Sequence, residues 1–155
     1  MSVAPALALA IRGVLAAAAV SLLISQPALA IEFRSIAVAA AVLYDGPSAK
    51  ARKIIILNRG YPVEVLFTVD GWLKVRDAAG ELAWIEEANL SKDRMVMVKV
   101  ARAEVRKAPD ANAPVVLNVE QDVLLEVLDF SDNWVRVKHR DGAVGYIRVT
   151  QVWGL

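Results

Sequence analysis

The sequence predicts an all-β protein made of two tandem small barrels of about five strands each. The first observation is an internal repeat, because segment 70–76 (DGWLKVR) returns 62 residues later as segment 132–138 (DNWVRVK). The same offset links Pro47 to Pro109 with no gap. The second observation is the pattern inside each segment, where a turn pair leads into alternating apolar and basic residues, as in a half-buried strand. Turn residues also recur about every ten positions, which favours a small barrel.

Strand patterns in the first copy are separated by clusters of Gly, Pro, Asp and Asn. The first is a weakly patterned entry segment around Ile36 and Val38, which a turn cluster at 43–48 follows. The predicted strands after that turn are 53–57, 63–69, 72–77 and 82–86.

The second copy begins after a polar segment, 87–94, which we interpret as a linker. The predicted domains are therefore 31–88 and 94–155. The predicted strands of the second copy are 95–100, 115–119, 123–128, 134–138 and 144–149. The chain ends on an apolar segment that includes Trp153, and we expect this segment to pack against the protein.

Residues 1–30 have the pattern of a secretory signal peptide. Arg12 precedes an apolar run over 13–24, and the small-residue sequence ALA follows at 28–30. The alternative is an uncleaved membrane anchor, but the run is shorter than the roughly 20 residues needed to span a bilayer. We therefore expect an exported protein, periplasmic or extracellular, with no membrane attachment after cleavage.

Composition argues against some classes of function. Without residues 1–30, whose only charged side chain is Arg12, acidic and basic residues balance at 17 each. Nucleic-acid-binding domains are usually clearly basic, so we expect no nucleic-acid partner. The chain has no cysteine, so no disulfide can stabilise either copy. A domain of about 60 residues is marginally stable alone, and we therefore expect the copies to pack against each other.

The repeated motifs resemble those of the bacterial SH3-like (SH3b) family over residues 36–155. The family pattern has an Arg-x-x-Pro turn, a Gly-Trp before Lys-Val or Arg-Val, and a late Gly followed by an aromatic residue. The matching segments are RKAP at 106–109, WVRV at 134–137, GYI at 145–147, GWLKV at 71–75 and WI at 84–85. The first copy departs from the pattern at Tyr44, which stands at the arginine position, and the second departs at Asn133. The resemblance implies a small SH3-like barrel that recognises a cell-wall peptide or an envelope protein.

Five aromatic residues are candidates for ligand binding. Trp72 and Trp134 follow the repeated turns, Trp84 and Tyr146 lie on the next strands, and Tyr44 lies in the early turn. Each tryptophan can form a platform in a ligand groove or fill the end of a small core, because Trp buries roughly 150–250 Å². For Trp72 and Trp134 we favour the core interpretation. For Trp84 and Tyr146 both interpretations stay open.

Basic residues alternate along the same strands. Arg136, Lys138 and Arg140 lie two positions apart, as Lys74 and Arg76 do in the first copy, so each set shares one strand face. Such a strip could bind the carboxylates of wall peptides or an anionic polymer, but we favour a solvated outer face. The complete set of candidate ligand-binding residues is Tyr44, Trp72, Trp84, Arg106, Trp134, Arg136, Lys138 and Tyr146.

Enzymatic chemistry is not expected. The chain has no cysteine. Its single histidine, His139, has Asp77 as the equivalent residue in the first copy, so the histidine is not repeated. No catalytic residue, metal site or cofactor is therefore predicted. The function that we expect is recognition of a cell-wall peptide or of an extended segment of an envelope protein. The alternative is a structural or assembly factor that docks a partner protein through one barrel face.

Overall fold

A computed structural model describes residues 31–155, and the predicted signal peptide, residues 1–30, lies outside the described residues. Within the described part of the chain, no helix is long and apolar enough to cross a membrane. The residues form two antiparallel sheets of seven strands each, one sheet for each copy of the repeat. This confirms the predicted all-β fold with two tandem SH3-like domains.

The first sheet contains seven strands in the spatial order β3-β2-β6-β5-β4-β1-β7. Their bounds are β1 Glu32–Ile36, β2 Ala40–Tyr44, β3 Lys53–Asn58, β4 Pro62–Val69, β5 Trp72–Arg76, β6 Leu82–Glu86 and β7 Leu90–Ser91. A 3₁₀ turn over Glu87–Asn89 connects β6 to β7.

The second sheet repeats this order as β10-β9-β13-β12-β11-β8-β14. Its strands are β8 Met95–Val98, β9 Arg102–Arg106, β10 Val115–Glu120, β11 Leu124–Ser131, β12 Trp134–Lys138, β13 Val144–Arg148 and β14 Val152–Trp153. A 3₁₀ turn over Val149–Gln151 precedes β14.

The 62-residue offset holds at the level of backbone detail. Strands β2 to β7 have the same bounds as β9 to β14 once the offset is added. Asp70 and Asp132 both open their hairpins with a positive φ, at 47° and 51°. This left-handed conformation is uncommon outside glycine and is tolerated by Asp in tight turns. Both copies also carry a register shift in the long hairpin, between Val65 and Phe67 and between Val127 and Asp129.

Each sheet has more strands than the five predicted. Two of the additional strands, β7 and β14, have only two residues each and carry no alternating pattern that a sequence could reveal. β7 lies inside the segment interpreted as a linker and pairs with β1. The first sheet therefore extends to Ser91, beyond the predicted boundary at residue 88.

Each domain has its own hydrophobic core, built from alternate residues of the strands. Leu73 and Val75 on β5 and Ile85 on β6 are completely buried in the first core. Their equivalents Val135, Val137 and Ile147 occupy the same places in the second core. Because successive strand residues point to opposite faces, the residues between them lie on the outside of the barrel.

The two domains contact each other at one side of each sheet. The rings of Phe33 on β1 and Trp153 on β14 meet edge to face, with centroids 5.0 Å apart. The segment that connects the sheets is also held, because the Ser35 hydroxyl donates a hydrogen bond of 2.9 Å to the carbonyl oxygen of Asp93. Trp153 therefore packs as predicted. An edge-to-face aromatic pair contributes about 0.5–1.5 kcal/mol beyond its buried area, which helps two small domains that lack disulfides.

Gly145→Ala should destabilise the second domain by about 1–3 kcal/mol, the usual cost of overpacking. A Cβ atom at Gly145 would lie 2.6 Å from the Arg106 carbonyl oxygen, because β13 passes very close to β9 here. The equivalent residue of the first domain is Ala83, so a Cβ atom is already present at this position, where Ala83 is only 4% exposed. Ala83→Gly serves as the matched variant and should cost only about 0.5–1 kcal/mol.

Urea unfolding of the two variants and the wild type measures the difference. An unchanged transition of the second domain in Gly145→Ala would contradict the close approach of β9 and β13.

Candidate functional site

The outer face of the first barrel carries a row of aromatic side chains across β2, β6 and β5. Tyr44 is opposite Trp84, and Trp84 is opposite Lys74, in the register of the sheet. The Lys74 ammonium nitrogen lies 5.4 Å from the centre of the Trp84 ring, a cation–π distance. We call Tyr44, Phe67, Trp72, Lys74 and Trp84 the aromatic face.

Two further rings complete the aromatic face. The Trp72 ring meets Tyr44 edge to face with centroids 5.5 Å apart, and the Phe67 ring meets Trp84 in the same way at 5.4 Å. Phe67 reaches this face because of the register shift after Val65, which turns it to the outside opposite Lys74. The result is a continuous aromatic surface with one cation on it.

The same positions of the second barrel carry charge. Arg106 is opposite Tyr146, and Tyr146 is opposite Arg136, so these three candidates lie side by side on β9, β13 and β12. The Arg148 guanidinium stacks over the Trp134 ring, with its carbon 4.7 Å from the ring centre. We call Arg102, Arg106, Trp134, Arg136, Tyr146 and Arg148 the basic face.

A groove of about 430 Å³ opens on the basic face beside Trp134. The charged residues that line it are Arg102, Glu104, Arg106 and Arg148. Arg106 is held in place, because it donates a hydrogen bond of 2.7 Å to the Ala113 carbonyl oxygen and also pairs with Glu104.

A larger cavity of about 1000 Å³ lies between the two domains. Its walls mix both signs of charge, with Arg59, Asp93, Asp122 and Arg140 among them. Of the candidate residues only Lys138 lines it, and no aromatic residue does. The aromatic and basic faces are therefore the better candidates for the ligand site.

Trp72 and Trp134 differ in burial but both lie outside the two clusters of core residues. Neither residue belongs to a core cluster, since both have the outward parity of Lys74 and Arg136 on their strands. Trp72 is half-buried, whereas Trp134 is only 8% exposed because Arg148 covers it. Trp84 and Tyr146, for which the sequence left both interpretations open, also have outward parity, but Trp84 is only 9% exposed.

The basic strips are partly neutralised by neighbouring strands. Arg76 forms a salt bridge of 2.8 Å with Glu64, and the equivalent Lys138 lies 3.5 Å from Glu126. Arg140 lies in the turn after β12 and does not continue the strand. Within the predicted strip of Arg136, Lys138 and Arg140, Arg136 is therefore the one cation on the basic face that is exposed and, among the described residues, unpaired. It forms no ion pair with any of residues 31–155.

His139 is part of a turn between β12 and β13. Its backbone N–H donates to the Ala143 carbonyl, and its Nδ1 lies 2.9 Å from Oδ1 of Asp141 without good hydrogen-bond alignment. The pKa of Asp141 is lowered, first by the hydrogen bond that it accepts from the Ala143 N–H and then by His139. Asp77, the equivalent of His139, closes its own turn by accepting the N–H groups of Ala79 and Glu81. Both residues thus shape hairpin turns.

Arg102, Arg148 and Phe67 were not among the predicted candidates. Arg148 follows the apolar Ile147 on the same predicted strand, so alternation already indicated that Arg148 faces outward. Phe67 gave no such signal, because strict alternation would place it inside with Val63 and Val65. Among residues 31–155, no group of three or more His, Asp and Glu side chains is placed to hold a metal ion.

Comparison with protein families gives two matches along the chain. A sequence model described as "Bacterial SH3 domain" matches residues 37–92 and 99–154, which together are more than half of the chain. No curated protein is significantly similar in sequence.

Three solved structures resemble the chain at low identity. NlpC2 from Trichomonas vaginalis is 21% identical, with 79% of this chain and 48% of that chain covered, at a TM-score of 0.37. NlpC1 from the same organism is 22% identical, with coverage of 83% and 47% and a TM-score of 0.38. An NlpC/P60 family protein from Bacillus cereus is 16% identical, with coverage of 79% and 56% and a TM-score of 0.37. The chain spans about half the length of these proteins.

Trp72→Ala should destabilise the first domain much less than Leu73→Ala. Leu73 is fully buried in the core, where loss of a leucine costs about 2–5 kcal/mol. Trp72 lies outside the core cluster, and its removal loses partial burial and the contact with Tyr44, which together cost about 1–2 kcal/mol. Chemical denaturation of both variants measures the difference. An equal or larger loss for Trp72→Ala would show that Trp72 closes the core after all.

Proposed function

The chain belongs to the bacterial SH3 domain family, and from this membership we propose that it is an exported, non-enzymatic binding protein. Its two barrels hold extended peptide on their outer aromatic and basic faces. The peptide is a cell-wall peptide or an extended segment of an envelope protein. The observation that carries this proposal is the outward strand parity, in both copies, of large aromatic side chains that lie outside the two core clusters.

The aromatic face suits an extended peptide. Aromatic rings offer large, rigid contact area, and their immobilisation costs little side-chain entropy. Tyr44, Trp72 and Trp84 lie on adjacent strands, so their rings line a shallow surface rather than a closed pocket. Shallow aromatic grooves are a recurring mode of peptide recognition.

Two faces on one chain raise the strength of binding to a repetitive target. When one face is bound, the second is held at a high local concentration near the next site. Such linkage can strengthen attachment by about 10²–10⁴-fold where the geometry allows both faces to bind. A wall polymer with repeated peptides is a target of this kind.

The structural role of the single histidine supports a binding function rather than catalysis. His139 shapes a turn and has Asp77 as its equivalent, so the repeat does not preserve it. The chain also has no cysteine to act as a nucleophile. Export is part of the proposal and rests on the signal-peptide pattern of residues 1–30.

The second candidate function is assembly with a partner protein through a sheet edge. β3 is the outermost strand of the first sheet, and Ile54 and Ile56 on it are 46% and 62% exposed. The equivalent edge strand β10 exposes Val115 and Val116. An exposed apolar edge strand can pair with a strand of another protein.

Co-sedimentation with purified wall sacculi tests the binding proposal. The double variant Tyr44→Ala and Trp72→Ala should bind at least tenfold more weakly, because it loses the aromatic anchors of one of two linked faces. The matched control is Ile54→Ser, which changes the exposed edge strand and should bind like the wild type. The opposite result, with loss only in Ile54→Ser, would favour the assembly function.

The same incubation tests the absence of catalysis. Chromatography of the soluble fraction should show no muropeptides released above the level of a protein-free control. Release that disappears in His139→Ala would overturn the non-enzymatic proposal.

A further inference from the structure

The two copies give an internal comparison of the groove beside the repeated tryptophan. Because the strands have the same bounds after the 62-residue offset, each groove residue of the second domain has an exact counterpart in place. Where the second domain has Arg102, Arg106 and Arg148, the first has Ala40, Tyr44 and Glu86. The two grooves therefore share a tryptophan but differ strongly in charge.

The arginines of the basic face are available to a ligand. Arg102 and Arg148 are exposed and form no ion pair with any residue of segment 31–155. The Arg148 guanidinium carbon lies 4.7 Å from the centre of the Trp134 ring, and a guanidinium beside an aromatic ring keeps N–H donors with which Arg can bind a planar anion. Arg106, fixed by Ala113 and Glu104, forms the inner wall.

We propose that the basic groove of the second domain binds a carboxylate of an acidic extended peptide, and that the first domain has no such preference. The inference rests on the proposed peptide-binding function and specifies its ligand. A guanidinium fork matches the geometry of a carboxylate, and the contact is a charge-assisted hydrogen bond. In the first domain Glu86 stands where Arg148 stands in the second, and its charge repels a carboxylate.

A peptide carboxylate fits this groove better than a phosphate polymer does. Glu104 lies in the groove beside Arg106, and its charge opposes a continuous polyanion but can accept a hydrogen bond from a peptide N–H. The groove of about 430 Å³ has the size for one side chain or a chain end. The formal net charge of the whole chain is only +1, so the protein has little general attraction for polyanions.

Nuclear magnetic resonance titration of the full exported chain tests this inference. The probes are a short synthetic peptide that alternates alanine and glutamate, and its glutamine analogue. Amide shifts of β9, β12 and β13 report on the second domain, and those of β2, β5 and β6 report on the first. The glutamate peptide should bind the second domain roughly tenfold more tightly than the glutamine peptide, the scale of one charge-assisted contact. At the first domain the glutamate peptide should have no advantage.

Variants at one pair of equivalent positions assign the preference. Arg148→Glu gives the second domain the residue of the first and should abolish the preference for glutamate. Arg148→Gln removes the charge without adding an opposite one and should reduce the preference for glutamate. It replaces Arg148→Glu in the test if that variant does not fold. Glu86→Gln is the matched control in the first domain and should leave the preference of the second domain unchanged.

Four results would overturn the inference. Equal affinity of the second domain for both peptides, or an undiminished preference in folded Arg148→Gln, would do so while leaving the proposed peptide binding intact. Displacement of the glutamate peptide by a much tighter glycerol phosphate polymer would assign the groove to an anionic polymer instead. Failure of both peptides to shift any amide of either face would overturn the proposed function together with this inference.

Discussion

The alternation of side chains along short strands is the constraint on which this structure depends. A barrel of about 60 residues has room for few core side chains, and these are aliphatic residues such as Leu73, Val75 and Ile85. The alternate positions of the same strands must then face outward. Large aromatic residues at those positions lie outside the two core clusters and are partly covered by their neighbours, as Trp134 is by Arg148.

The two copies keep the same kind of residue at the inward positions and differ at the outward positions. The inward positions stay aliphatic in both copies, as with Leu73 and Val135, because each core must be filled. The outward positions have diverged in charge, from Tyr44 to Arg106 and from Glu86 to Arg148. One scaffold therefore presents two chemically different faces, and the Phe33–Trp153 contact holds the domains against each other.

Local pattern and the repeat were enough to predict the fold from the sequence, including most strands and the packing of Trp153. Of the candidate residues, Tyr44, Trp84, Arg106 and Tyr146 have outward parity on their strands, which alternation alone could predict. The sequence did indicate the side of the sheet that Trp72 faces, because Trp72 has the same strand parity as Lys74, although a large aromatic after a tight turn is also typical of a small core. The contribution of Phe67 depends on a register shift, and that shift is set by pairing between strands rather than by local sequence.

We propose that the ligand lies on the outer faces and not at the sheet edges. Site-specific photo-crosslinking to purified wall sacculi tests it, with a photoreactive side chain placed singly at four positions. Lys74 and Arg136 are equivalent positions on the two faces, and Ile54 and Val116 are equivalent positions on the two edge strands. We expect covalent wall-peptide adducts at 74 and 136 and none at 54 and 116. Adducts confined to 54 and 116 would contradict the proposed site.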